Sequence, residues 1–214
     1  MGNHREKQKR IDLSHLPMDI ARIVCSPLLL LYRMKRLTPE GKCYKAHIKG
    51  GAILAANHTT FADPFLLGVA VWYRRMHFLA AEVVMKGKLR KWLLKGVGAI
   101  EIDRQGTDIE AIRKSVQVLK DGHLLAIFPQ GGISQGDQVK SLKSGVVLIA
   151  LQAGVPIIPM HIVPRKHWYS RREVVMGDAF DPRAYLEKKI PSTADIERIS
   201  QKLMEEMNRC MAHQ

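Results

Sequence analysis

The 214-residue chain is short of cysteine, of aromatic side chains and of acids. Its three cysteines, Cys25, Cys43 and Cys210, lie far apart and never in CxxC spacing. That removes a disulfide framework and a cysteine zinc site, and it suits a reducing compartment. Aromatic residues make up 6% of the chain, too few for the stacking platforms that hold single-stranded nucleic acid, and no helix-turn-helix pattern takes their place. A nucleic-acid partner is therefore not expected. Long apolar runs are missing too: within residues 17–37 only Ile23 to Tyr32 is free of charge, too short to cross roughly 30 Å of hydrocarbon. The first ten residues, MGNHREKQKR, are charged and have no serine or threonine at residue 6, so neither a secretory signal nor myristoylation is expected.

What is present is basic charge and a core. Lysine and arginine number 34 against 20 acids, a formal net charge of +14, which calls for an anionic partner such as an acidic membrane surface or a phosphate-bearing substrate. With 46% hydrophobic residues the chain can bury one sizeable core. Residues 17–37 end in Arg33, Lys35 and Arg36 and are interrupted by Pro27. They read as a helical element lying in a bilayer interface, or as a helix packed on the domain. The expected division is a basic N-terminal segment with this interfacial element over 1–41 and a single domain over 42–214.

The chain is organised around residues 53–64, ILAANHTTFADP. Ile53 to Ala56 reads as a buried strand. Asp63 and Pro64 read as the N-cap and first position of the next helix, because aspartate satisfies free amides and proline is tolerated there. On one helix a spacing of five would set His58 and Asp63 roughly 140° apart, so only a turn brings them together. An imidazole oriented by a carboxylate can take a proton from an attacking hydroxyl; a hydrogen-bonded loop histidine beside a capping aspartate is the plainer reading. No serine or cysteine nucleophile is built into the stretch.

Elsewhere the pattern predicts an edge strand near Lys42–Ile48, helix over Phe65–Tyr73, strand over Met76–Ala80, a basic helix over Lys88–Lys95, strand over Val97–Ile102 and helix over Ile109–Leu119. It continues with strand over His123–Phe128, helix over Lys143–Gln152 closed by Gly154, and one or two strands over Val155–Val163 broken by Pro156 and Pro159. A strand over Glu173–Met176 and a capped helix to about Met211 complete it. The fold class expected is α/β: a mixed, largely parallel sheet flanked by helices on both faces, preceded by the membrane-interface element.

In such sheets ligands bind beyond the carboxyl ends of the strands. Three further strand or helix ends carry candidates. Gly98 to Arg104, GAIEIDR, brings Asp103 and Arg104; Phe128 to Ser134, FPQGGIS, brings Gln130, Gly131, Gly132 and Ser134; and KSG at 143–145 puts Lys143 at a helix start. Taken singly these are a surface pair, a turn and a solvated lysine. Taken together they suit a phosphate: glycines allow close backbone approach, a helix start offers amides, and Arg104 with Lys143 supplies charge.

The order of these blocks resembles the 1-acyl-sn-glycerol-3-phosphate acyltransferases within the HxxxxD glycerolipid acyltransferase superfamily, from about Gly50 to Pro164. Asn57, His58 and Asp63 match the first block; Gly98, Ile100, Asp103 and Arg104 the second; Phe128, Pro129, Gly131 and Ser134 the third; Val155, Pro156, Ile157 and Pro159 the fourth. The resemblance implies fatty acyl transfer from acyl-CoA or acyl carrier protein to the hydroxyl of a lysophospholipid, at the cytoplasmic face of a membrane, by a peripheral or monotopic protein. In that scheme His58 is the base, Asp63 orients it, and the second and third blocks, with Arg104 and Gly131, hold the phosphate; Gly132 and Lys143 join them from the reading of the strand and helix ends above. Asn57, Asp103, Gln130 and Ser134 support the site, and neither metal nor bound cofactor is needed. The chain departs from the family's FPEGTRS at Gln130, Gly132 and Ile133, and has Ala81 where relatives often have lysine. Another lysolipid acceptor, or a catalytically impaired lipid-binding relative, is the alternative.

Overall fold

The computed structural model describes residues 20, 34–81, 87–96, 98–102, 109–130, 142, 144–164, 171–186 and 190–212. A seven-stranded sheet is built from β1 (Lys35–Leu37), β2 (Ala52–Ala56), β3 (Met76–Ala81), β4 (Ala99–Ile102), β5 (Leu124–Ile127), β6 (Ile157–Ile162) and β7 (Glu173–Met176), in the order β1-β7-β6-β2-β5-β3-β4. Neighbours from β6 through β4 run parallel, whereas β7 is antiparallel to β6 and carries β1 alongside it. The α/β sheet is thus mixed and largely parallel, as its sequence pattern predicts.

Helices α1 (Asp63–Ala70), α2 (Lys88–Gly96), α3 (Ile109–Lys120), α4 (Gly145–Ala153) and α5 (Thr193–Met211) divide between the two faces. Leu66, Leu67 and Ala70 of α1 pack with Leu54, Ala56, Phe78 and Met160 on one face, where Leu94 of α2 also lands. Full burial of a leucine such as Leu67 stabilises the fold by about 1.5–3 kcal/mol. Helices α3, α4 and α5 cover the other face through Leu119, Val147, Ile199 and Leu203, against Ile53, Leu125 and Ile157. The connections that step along the sheet from β2 to β3 to β4 therefore use one face, and those returning from β4 to β5 to β6 use the other. A single hand of crossover requires this.

The direction reverses between β2 and β5, which are neighbours in register Ile53 to Leu125. Chains leaving their carboxyl ends depart to opposite sides, leaving a crevice at the rim. Two local features set this geometry. A Cβ on Gly51 would lie 2.0 Å from the Leu119 carbonyl oxygen, so only glycine lets β2 start against the end of α3. Gly154 closes α4 with φ of 69°, the left-handed cap that glycine adopts without strain.

Several expectations need correction. The edge strand is Lys35–Leu37, not Lys42–Ile48, where only an isolated bridge joins Cys43 to Leu37. The sheet therefore begins upstream of the boundary drawn after residue 41. Pro156 and Pro159 do not break the sixth strand, which runs unbroken over Ile157–Ile162. The Pro159 carbonyl accepts from the Gly177 amide at 2.9 Å. The side of β6 on which proline lacks an N–H faces the point where the chain leaves β7, beyond its ladder. Asp63 is the first helical residue; the N-cap is Ala62, without a side-chain cap. Helix α5 is capped as expected; the cap is Ser192, which forms a capping box with Asp195.

Candidate active site

The apolar run of β2 ends at Asn57, whose side-chain amide continues the sheet. Its Nδ2 donates to the Ile162 carbonyl at 3.1 Å and its Oδ1 accepts from the Ile162 amide at 2.7 Å. This stand-in for a peptide group fastens the end of β2 to the end of β6 and frees the main chain to turn. His58 is the next residue and faces the rim.

The turn is tied by Asp63, which is 1% exposed. Its Oδ2 lies 3.1 Å from His58 Nδ1 and accepts from the Thr59 amide at 2.6 Å and the Thr60 amide at 2.8 Å, while Oδ1 accepts from the Thr60 hydroxyl at 2.7 Å. Burial alone would raise the Asp63 carboxyl, but the hydrogen bonds from His58, Thr60 and Thr59 outweigh it and hold the group below the ordinary carboxylate range. An ionised carboxylate only accepts, so the proton between them sits on Nδ1 and Nε2 carries the free lone pair. The side chain of His58 keeps 14% of its surface open, and its ring stacks on Phe128, just past β5, at 4.3 Å between centroids.

At the rim between β2 and β5 the oriented imidazole is thus backed by the Phe128 ring. Gln130 follows two residues later, and its buried Oε1 has no hydrogen-bond partner among the described residues. The structure brings together Asn57, His58, Asp63 and the Gln130 turn. Asp103, Arg104, Gly131, Gly132, Ser134 and Lys143 lie outside the described residues. Ile102, the last described residue before Arg104, ends β4 on the same rim but three strands from β2, about 14 Å along the sheet at the usual strand spacing. Helix α4 starts after β5 with Ser144 at its N-cap and no side-chain cap. Among the described residues no cluster of histidine, cysteine and acid side chains could hold a metal.

Thr59 and Thr60 were not singled out from the sequence. The signal was the pair of hydroxyl residues between the histidine and the acid, since an acidic side chain commonly closes a short turn onto nearby amides.

A model of the acyltransferase family matches residues 34–163, more than half of the chain. The chain belongs to the acyltransferase family. The match opens one residue before β1 and closes one residue after β6, so it spans all of the parallel strands. Among curated acyltransferases, the 1-acyl-sn-glycerol-3-phosphate acyltransferase of Bacillus subtilis is 29% identical over 109 residues, covering 51% of this chain and 54% of that protein. Its namesake from Streptococcus pneumoniae is 32% identical over 109 residues, 50% and 40% respectively. The lyso-ornithine lipid O-acyltransferase of Pseudomonas aeruginosa is 30% identical over 112 residues, 52% and 42%. The matches span about half the length of these relatives, or less. Among solved structures, the 1-acyl-sn-glycerophosphate acyltransferase of Thermotoga maritima superposes with a TM-score of 0.57 at 17% identity, over 92% of this chain and 83% of that one. It shares the fold.

Proposed function

We propose that this acyltransferase moves a fatty acyl group from acyl-CoA or acyl carrier protein to the free hydroxyl of 1-acyl-sn-glycerol-3-phosphate, giving phosphatidate. The observation that carries the reading is His58 Nδ1 tied to an ionised, buried Asp63 at the crevice between β2 and β5, with Nε2 left to the substrate. The acceptor oxygen attacks the thioester carbonyl carbon and forms the new C–O bond. His58 Nε2 takes the hydroxyl proton; the C–S bond then breaks and the proton passes to the departing sulfur. No acyl-enzyme is needed, and the reaction as written uses neither metal nor bound cofactor.

Arg104, Gly131, Gly132 and Lys143 are assigned the headgroup phosphate. This is supported by the uncapped start of α4 on the rim, where free amides and the positive end of the helix dipole favour an anion. Asp103 and Ser134 are assigned to supporting positions beside them. The acidic surface of the cytoplasmic leaflet is the membrane partner that the basic N-terminal segment fits.

A second reading, acylation of another lysolipid, is favoured by Gln130. Its carbonyl oxygen has no hydrogen-bond partner among the described residues and would suit an amide N–H in the acceptor, where the family's carboxylate would suit a cation. The test is turnover of purified protein against a panel of lysophosphatidate, other lysophospholipids and a lyso-ornithine lipid, with both thioester donors. Lysophosphatidate turned over fastest, and lost in His58→Ala, supports the first reading. Preference for an amide-bearing acceptor supports the second. Binding without turnover of any acceptor defeats both and leaves a lipid-binding relative.

A further inference from the structure

Helix α1 is apolar on both sides. From Pro64 to Trp72 the sequence PFLLGVAVW carries no charged side chain, yet only Leu66, Leu67, Ala70 and Val71 of it are buried. A helix on the outside of an α/β layer normally turns a polar face to water. Here Phe65 and Val69 lie one turn apart on the side away from Leu66 and Leu67. Phe61, four residues before Phe65, and Trp72, three after Val69, extend the strip past both helix ends. Helix α2 stands on the same face of the sheet, with Leu94 turned inward. Trp92, two residues back, is roughly 200° away around the axis and points outward between Lys88 and Lys95. Phe61, Phe65, Trp72 and Trp92 are between 57 and 72% exposed.

We propose that the outer faces of α1 and α2 form a docking surface for an anionic lipid bilayer, which seats the His58 crevice against the headgroups. The composition commits it to that partner. Exposed tryptophan and phenylalanine flanked by lysine match the headgroup layer, where amphipathic rings settle and cations meet acidic lipids. Lys91 and Lys95 share a single acid, Glu101, at 2.8 and 3.9 Å, while Lys88 has no acid partner among the described residues, so the face keeps a positive surplus. A partner protein of acidic character would be expected to meet a more polar rim than this strip of phenylalanine, valine and tryptophan. The strip also begins inside the turn that links His58 to Asp63, so contact there brings a bilayer-resident acceptor to the base without lifting it into water. The proposal extends the lipid-acceptor reading to a surface apart from residues 1–41, and its readout needs no turnover.

The chain has three tryptophans, Trp72, Trp92 and Trp168. In full-length Trp168→Phe protein, and with Trp72 or Trp92 also changed to Phe, fluorescence is read against vesicles of equal phosphatidylcholine and phosphatidylglycerol carrying bromine on the acyl chains. Quenching of both Trp72 and Trp92 is expected, and less on pure phosphatidylcholine. The variant Phe65→Ser/Trp92→Ser should lose at least tenfold in vesicle partitioning. It should keep wild-type turnover on a short-chain, monomeric lysophosphatidate if that reaction is the one catalysed. If vesicles bind but neither tryptophan is quenched, another segment holds the bilayer and the proposal falls. It falls equally if the double variant dissociates a dimer while partitioning stays unchanged, which would make the face a contact between two copies. Should the double variant fail to fold by circular dichroism, the quenching result on the Trp168→Phe background decides alone.

Discussion

Strands β2 and β6 are neighbours, and each brings a histidine to its carboxyl end, yet the two imidazoles have opposite lives. His58 leaves β2 into a turn whose acid binds Nδ1 at 3.1 Å. His161 stays within β6, 2% exposed, with neither ring nitrogen bonded among the described residues, and burial pushes it down to about 4. The rim of a parallel sheet does not by itself make a histidine a base. The difference lies in five residues of turn that deliver a carboxylate, and in Asn57, which ends the strand on schedule.

The comparison can be broken hardest at His58. His58→Ala should lower kcat by about 10²–10⁴-fold with little change in Tm, measured on the preferred acceptor. Asp63→Asn should come next. It puts an amide where the His58 ring, the Thr59 and Thr60 amides and the Thr60 hydroxyl all donate, so we expect about a hundredfold loss in turnover. We also expect a stability loss of about 3 kcal/mol in denaturant unfolding, since the Thr59 and Thr60 amides lose a charged acceptor.

The same comparison is sharpened by acid. A buried imidazole whose folded value is depressed from 6.5 to about 4 leaves the unfolded chain binding more protons between those values. His161 therefore lets stability stand in full above pH 6.5 and lose about 3 kcal/mol as pH falls towards 4. Asp63, whose value is also lowered, is ionised in both states at pH 6 and withdraws its contribution only below about pH 4. His161→Leu should flatten the upper window in chemical denaturation while leaving turnover and the more acidic limb unchanged. The smallest effect expected is from Asn57→Ala. Loss of both bonds to Ile162 should cost about 2 kcal/mol, and kcat should fall less than in Asp63→Asn.

Most of the architecture was legible because its elements are strongly patterned. The buried run at 53–56, the β-branched Glu173–Met176 and the capped helix running to Met211 each announce themselves locally. The edge strand was missed because three residues, Lys35–Leu37, owe their conformation to β7 alone, a tertiary partner that no window of sequence contains. Pro159 misled in the opposite direction: proline argues against an interior strand unless the side it faces has nothing to pair, which is a fact of topology. Within the site, the spacing of His58 and Asp63 was readable. The work of Thr59 and Thr60 was not, because two of the turn's short contacts come from their backbone amides, which any residue carries.

The clasp between Asn57 and Ile162 joins positions 105 residues apart. During synthesis from the amino terminus, the loop bearing His58 has no mate for its anchoring Asn57 amide until the ribosome has released residue 162. A nascent chain arrested short of that point should carry its helices and yet be inert.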